Sequence, residues 1–166
     1  MRYVVSAIIM VLTCLTLSTA QATTSAERES LRGLAGVAVV IEVINSDAQA
    51  DGLSEEAVLT AVELILKSSG IRVLSQLESF STPSAPLLYV RINTMKTELA
   101  YAVDLHVALN QRVSLVQRPE HKMSAATYEL SAVGMYGTHL LRDLISDGVE
   151  PDVKTFATDF LAVNPR

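Results

Sequence analysis

Leu99-Ala-Tyr-Ala-Val-Asp-Leu-His-Val-Ala-Leu-Asn-Gln-Arg-Val-Ser-Leu-Val-Gln117 alternates over most of its length. Leu99, Tyr101, Val103, Leu105, Val107, Leu109, Val113 and Leu115 hold odd positions, and Asp104, His106, Asn110, Arg112 and Ser114 hold even ones. Successive side chains of a strand point to opposite faces. The stretch therefore predicts a long strand with one face in a core and the other wet. Such a sheet needs covering elements on one side only, which points to a two-layer α+β sandwich. Gln111 interrupts the apolar row and predicts a bulge or bend near it.

Working outward, Leu87–Thr97 reads as the preceding strand. Arg118-Pro119-Glu120-His121-Lys122 reads as a charged hairpin loop, and Ser124–Met135 as the strand after it. Upstream, Val37–Ile44 is β-branched and apolar on both faces, the pattern of a central strand. Ser54 is a candidate N-cap, with Glu55 and Glu56 in the first turn, where the helix dipole favours acids. Leu53 and Val58 can staple that start. Val58, Ala61, Val62, Ile65 and Leu66 then follow a helical stripe, and Gly70 stands where a left-handed cap belongs.

Ile71–Ser75 reads as a short strand, and the connection from Ile44 is long enough to set the two strands parallel. Glu78–Pro86, rich in Ser and Pro, reads as a loop. Thr138 can cap a last helical region. Pro151 suits a first turn, Gly148 weakens continuity, and Val149, Val153, Phe156, Ala157, Phe160 and Leu161 form its apolar stripe. The expected order is β-α-β-β-β-β-α: a mixed, mostly antiparallel sheet with two helices on one face. Residues 34–166 form the single domain, behind a polar, flexible lead-in at 23–33.

Residues 1–22 have a different character. Met1-Arg2 is a short positive start, Tyr3–Leu17 is nearly unbroken apolar, and Ala20-Gln21-Ala22 is an A-x-A cleavage signal. That is the order of a secretory signal peptide, cut after Ala22. A retained membrane anchor would need a longer apolar core, about 20 residues. Lipidation at Cys14 is disfavoured by Thr13 before it and by the apolar run that continues past it. The mean hydropathy of +0.33 comes mostly from this leader. Of the 166 residues, the only Cys lies in it, so cleavage leaves no disulfide, thiol nucleophile or Cys metal site. The leader carries one charge, Arg2, and losing it makes the formal charge of −5 one unit more negative. With no basic block, this excludes nucleic acid and a polybasic membrane contact as natural partners.

Asp104 and His106 are two apart on one predicted strand and share its wet face. They could form an acid–base pair, or two ligands of a metal site lacking its third. The simpler reading is a solvated sheet face. Asn110 and Arg112 continue that face and complete a candidate ligand-binding set of Asp104, His106, Asn110 and Arg112. His121 and His139 fall in the hairpin and at a helix start. Tyr89, Tyr101, Tyr128 and Tyr136 could stack a ligand or simply pack across strands. No G-x-S-x-G, G-x-x-x-x-G-K-[ST], H-E-x-x-H or EF-hand pattern occurs. Gly33-Leu34-Ala35-Gly36 precedes a strand and so is no phosphate loop. No catalytic residue, metal ligand or cofactor is assigned.

Several segments together carry a resemblance. They are Leu31-Arg32-Gly33-Leu34, Asp51-Gly52-Leu53-Ser54-Glu55-Glu56, Ser69-Gly70-Ile71-Arg72-Val73-Leu74, Ala85-Pro86-Leu87-Leu88-Tyr89-Val90 and Phe160-Leu161-Ala162-Val163-Asn164-Pro165. In these the chain resembles a group of small, uncharacterised secreted bacterial proteins. Its element order is also similar to periplasmic α/β domains of envelope-assembly proteins, such as the amino-terminal domain of TolB and the curli-secretion lipoproteins. Val37–Ile44, Ser54–Val73 and Tyr101–Val107 are the corresponding segments. Such proteins are often lipidated or fused to larger domains, and this chain is read as neither. The resemblance implies an exported, non-enzymatic envelope accessory that works by protein contact or self-association, with no membrane span after cleavage. The alternatives are a small-molecule binder using the polar sheet face, and a hydrolase or metal site at Asp104 and His106.

Overall fold

A computed structural model describes residues 23–165. The leader and its cleavage residues Ala20 and Ala22 lie outside the described residues. The alternating segment is β4 (Ala100–Leu115), paired antiparallel with β3 (Leu87–Lys96) and β5 (Arg118–Gly137). β1 (Val37–Ile41) runs parallel to β3 on one side and to the two-residue β2 (Val73–Leu74) on the other. The order is β2-β1-β3-β4-β5, a mixed and mostly antiparallel sheet.

Two long helices, α3 (Glu55–Ser68) and α5 (Glu150–Val163), pack on one another. Val58, Val62 and Leu66 of α3 and Val153 and Phe156 of α5 meet Leu88, Val90, Val103, Leu105, Val107 and Leu109 of the sheet in one core. Each fully buried side chain of this kind favours folding by about 1.5–3 kcal/mol. The layers are therefore those expected: two helices on one face, the other face wet. Ser54 Oγ accepts from the Ala57 N–H at 3.1 Å, and Gly70, at φ +75°, closes α3 in the left-handed region. Among the described residues, no helix is long and apolar enough to cross a membrane.

Three short helices were not expected. The 23–33 segment, read as a flexible lead-in, contains α1 (Ser25–Glu29). Thr24 and Glu27 close a reciprocal capping box there, and Leu31 is fully buried. α2 (Ser46–Ala50) follows β1. α4 (Gln76–Phe80) occupies part of the predicted 78–86 loop, because Ser75 and Glu78 form a second capping box. The predicted charged loop at 118–122 is strand. The hairpin turn is Val116-Gln117, and Leu115 already faces Arg118. Pro119 is tolerated because β5 is an edge strand. Thr138 does not cap the last helical region. A 3-10 turn (Thr138–Asp143) starts from Gly137, and a π-type turn (Ile145–Val149) carries the chain past Gly148 into α5.

Gly36 shows a steric demand of the β1–β2 pairing. A Cβ there would lie 2.3 Å from the Arg72 carbonyl oxygen, which accepts from the Val37 N–H at 3.0 Å. Gly36→Ala must therefore push β2 from β1. The expected loss is about 1–3 kcal/mol, read from urea unfolding.

Asp51 ties the α2 end to the sheet. Lys96 Nζ lies 2.8 Å from its carboxylate and the Tyr101 hydroxyl 2.6 Å. These bonds, Lys96 first, hold its pKa below the ordinary aspartate range. A lowered folded pKa contributes stability above the unfolded value, about 3.9, and loses it as pH falls through the folded one. Asp51→Asn is thus expected to be less stable than the parent at pH 7, with the gap closing in acid. An equal gap at pH 7 and pH 2 would contradict this.

Candidate functional site

The wet face is a grid set by strand register. Arg91, His106 and Ser131 form one row, and Asn93, Asp104 and Val133 the next. Tyr89, Ala108 and Glu129 lie on one side of these rows, and Met95, Ala102 and Met135 on the other. His106 sits between two carboxylates. Its Nε2 is 3.0 Å from Asp104 Oδ1 and its Nδ1 is 2.8 Å from Glu129 Oε1. Asn93 Nδ2 donates to the other Asp104 oxygen at 3.3 Å. A carboxylate only accepts, so both His106 contacts are hydrogen bonds at once only with a proton on each ring nitrogen. In that arrangement the ring offers no free lone pair to a substrate proton or a metal. Among the described residues no group of three or more His, Cys, Asp or Glu side chains is placed to hold a metal ion.

Glu129 reaches this position through a bulge. Leu109 faces Tyr128 but Asn110 faces Ala126, so Thr127 is an extra residue in β5. The insertion switches the phase of the strand. Tyr128 and Leu130 turn into the core, and Glu129 comes to lie beside His106. Gln111 remains on the core face and is buried. Its Nε2 donates to Thr127 Oγ1 at 2.8 Å and to the Ser30 carbonyl at 2.9 Å. The irregularity expected near Gln111 is thus present, and Gln111 itself braces it.

Among the described residues, two depressions on this face adjoin the His106–Asp104 pair. One, about 250 Å³, lies over the small side chains Ala108 and Ala126, walled by Glu42, Tyr89, Arg91 and His106. The other, about 230 Å³, lies between Met95, Ala102, Asp104 and Val133. A larger groove of about 550 Å³ runs over the helix layer, past Ser54, Leu64 and Glu150. The sheet face is the better candidate, because there charged and hydrogen-bonding groups from three strands converge on one depression.

Of the four residues read from the sequence, His106 and Asn110 line the first depression and Asp104 the second. Arg112 is exposed and lines a separate hollow with Phe80, Leu87 and Lys122. The four do not form one site. The tyrosines do not form one platform: Tyr101 and Tyr128 are buried in the core, while Tyr89 is on the wet face. Arg91, Glu42 and Glu129 went unnoticed in the sequence. Arg91 shares the alternation of β3, but only the pairing register sets it opposite His106.

No protein-family model, curated protein or solved structure matches the chain.

Proposed function

We propose that this chain is an exported, non-enzymatic binding protein that works by contact. Its partner is an envelope protein or a second copy, taken up along β5 and the adjoining sheet face. One observation carries the reading: a sheet face that no helix or strand of the described residues covers, and that ends at the outermost described strand in a cluster of exposed apolar side chains. Met95, Val133 and Met135 are 65%, 83% and 67% exposed and lie on neighbouring rows. Apolar side chains gathered in this way mark interaction surfaces more often than scattered ones do.

The edge supports the same reading. Free edges are usually blunted by charge, proline or a covering element. The start of β5 has three charged residues, Arg118, Glu120 and Lys122, and a proline, Pro119. At the bulge, Ser30 Oγ donates to the Thr127 carbonyl at 3.1 Å. Among the described residues no strand lies beyond β5 in the sheet, and residues 129–135 carry a single charge, Glu129. An added strand would find both backbone groups and apolar side chains there. Export rests on the leader sequence.

A photo-crosslinking side chain at Val133 tests the proposal, with the same group at Leu64, exposed on the helix layer, as control. In native envelopes the Val133 probe is expected to give one discrete adduct and the Leu64 probe none. No adduct at Val133, or the same adducts at both positions, would refute it.

A further inference from the structure

The depression over Ala108 lies away from the apolar cluster and has chemistry of its own. Glu42 follows β1 directly, and its N–H donates to the Val90 carbonyl at 3.0 Å. Ile41 faces Val90 in the register, so Glu42 and Arg91 are cross-strand neighbours on the wet face. Yet no ion pair joins them. Arg91 Nε is buried with no hydrogen-bond partner, and among the described residues neither the guanidinium nor the Glu42 carboxylate has a partner. His106, Asp104, Glu129 and Asn93, by contrast, bond among themselves. A buried donor without an acceptor is costly, and a cation more so, which makes this Arg91 atom the unsatisfied point of the face.

We infer that this depression binds a small zwitterion of the α-amino-acid class, its carboxylate on Arg91 and its ammonium on Glu42. The charge balance decides against a simple anion, because Glu42 and Glu129 both wall the depression and would repel one. It decides against a simple cation too, which would leave Arg91 as it is. A molecule whose opposite charges are a few ångströms apart meets both cross-strand neighbours at once. A guanidinium presents a planar fork suited to a carboxylate. The volume, about 250 Å³, leaves room beside the charged end for an apolar side chain against the Tyr89 ring. Asn110 offers a further donor and acceptor at the same wall.

The test is titration of the purified full chain with three probes, followed by calorimetry and by backbone amide shifts. L-leucine carries both charges, N-acetyl-L-leucine lacks the ammonium, and L-leucinamide lacks the carboxylate. L-leucine is expected to bind at least tenfold more tightly than either derivative, with shifts confined to residues 42, 89–91 and 106–110. Arg91→Gln is expected to weaken L-leucine at least tenfold while leaving the weak L-leucinamide binding as it was. Glu42→Gln is expected to do the same with N-acetyl-L-leucine as the unaffected probe. Arg91→Lys, which keeps the charge but not the fork, separates loss of the contact from loss of folding. The inference is overturned by no localised shift at millimolar L-leucine, by equal binding of the three probes, or by correctly folded variants that bind L-leucine like the parent.

Discussion

Phe156→Ala is expected to lower the unfolding free energy by about 3–5 kcal/mol, the largest loss of any single change considered. Phe156 is fully buried on α5. Its ring meets Tyr128 edge-on, with centroids 5.4 Å apart and an interplanar angle of 80°, and lies 6.1 Å from the Phe160 ring. These contacts join the last helix to the edge strand. Truncation removes the burial energy of the ring and leaves a cavity between two layers that cannot readily close. A domain of this kind has a total stability of roughly 5–15 kcal/mol, so the variant should unfold at much lower urea with an unchanged slope. Phe156→Leu keeps most of the volume and is expected to cost less than half as much. A loss below about 1 kcal/mol for the alanine variant would show that α5 is not seated as described.

Asp159→Ala is expected to cost about 2–3 kcal/mol by a different route. Asp159 is buried on α5 and gathers three donors: Thr23 Oγ1 at 2.7 Å, Arg28 Nε at 2.9 Å and the Tyr128 hydroxyl at 3.0 Å. Those donors come from the residue before the α1 cap, from α1 itself and from β5. Removing the carboxylate leaves the buried Tyr128 hydroxyl without its acceptor and removes the Thr23 and Arg28 ties to α5, while Leu31, Arg32 and Gly33 stay bonded to Val163 and Asn164. Arg28 is partly exposed and regains water, which keeps the loss below that of a fully buried ion pair. Tyr128→Phe removes the donor together with its need and is expected to cost only about 1 kcal/mol. Proteolysis separates the two: Asp159→Ala should expose 23–30 to early cleavage, and Tyr128→Phe should not. Equal cleavage of both variants would contradict the role given to Asp159.

Much of this architecture was legible in the sequence because long periodic segments leave little choice. The alternation from Tyr101 to Leu109 could bury only one face, and the stripe from Val58 to Leu66 could serve only as a helix. The two capping boxes were equally present, as Thr24 to Glu27 and Ser75 to Glu78, but each opens a helix too short to show a periodic stripe. The charged stretch at 118–122 misled for another reason. Charge and proline were taken as turn signals, whereas on an edge strand they serve as shielding.

The candidate site was legible only within single strands. Asp104 and His106 share a face by spacing, and their contact at 3.0 Å follows from it. Glu129, Arg91 and Glu42 reach the same face through register and through the bulge at Thr127, neither of which leaves a mark in local sequence. Arg112 was included because it continues the even row. The depressions on the sheet are local, and six residues of strand carry it about 20 Å past His106 into another one, since each residue advances about 3.3 Å.

Hydrogen exchange over residues 129–137 tests the central claim most directly. Amide exchange would be followed by mass spectrometry on the protein in native envelopes and on the purified chain. The α3 peptide 55–68 serves as internal reference. If β5 is a docking edge, 129–137 should exchange at least tenfold more slowly in envelopes than alone, while 55–68 is unchanged. Equal exchange of 129–137 in the two settings would mean that nothing pairs with this edge where the protein resides, and the contact proposal would fall.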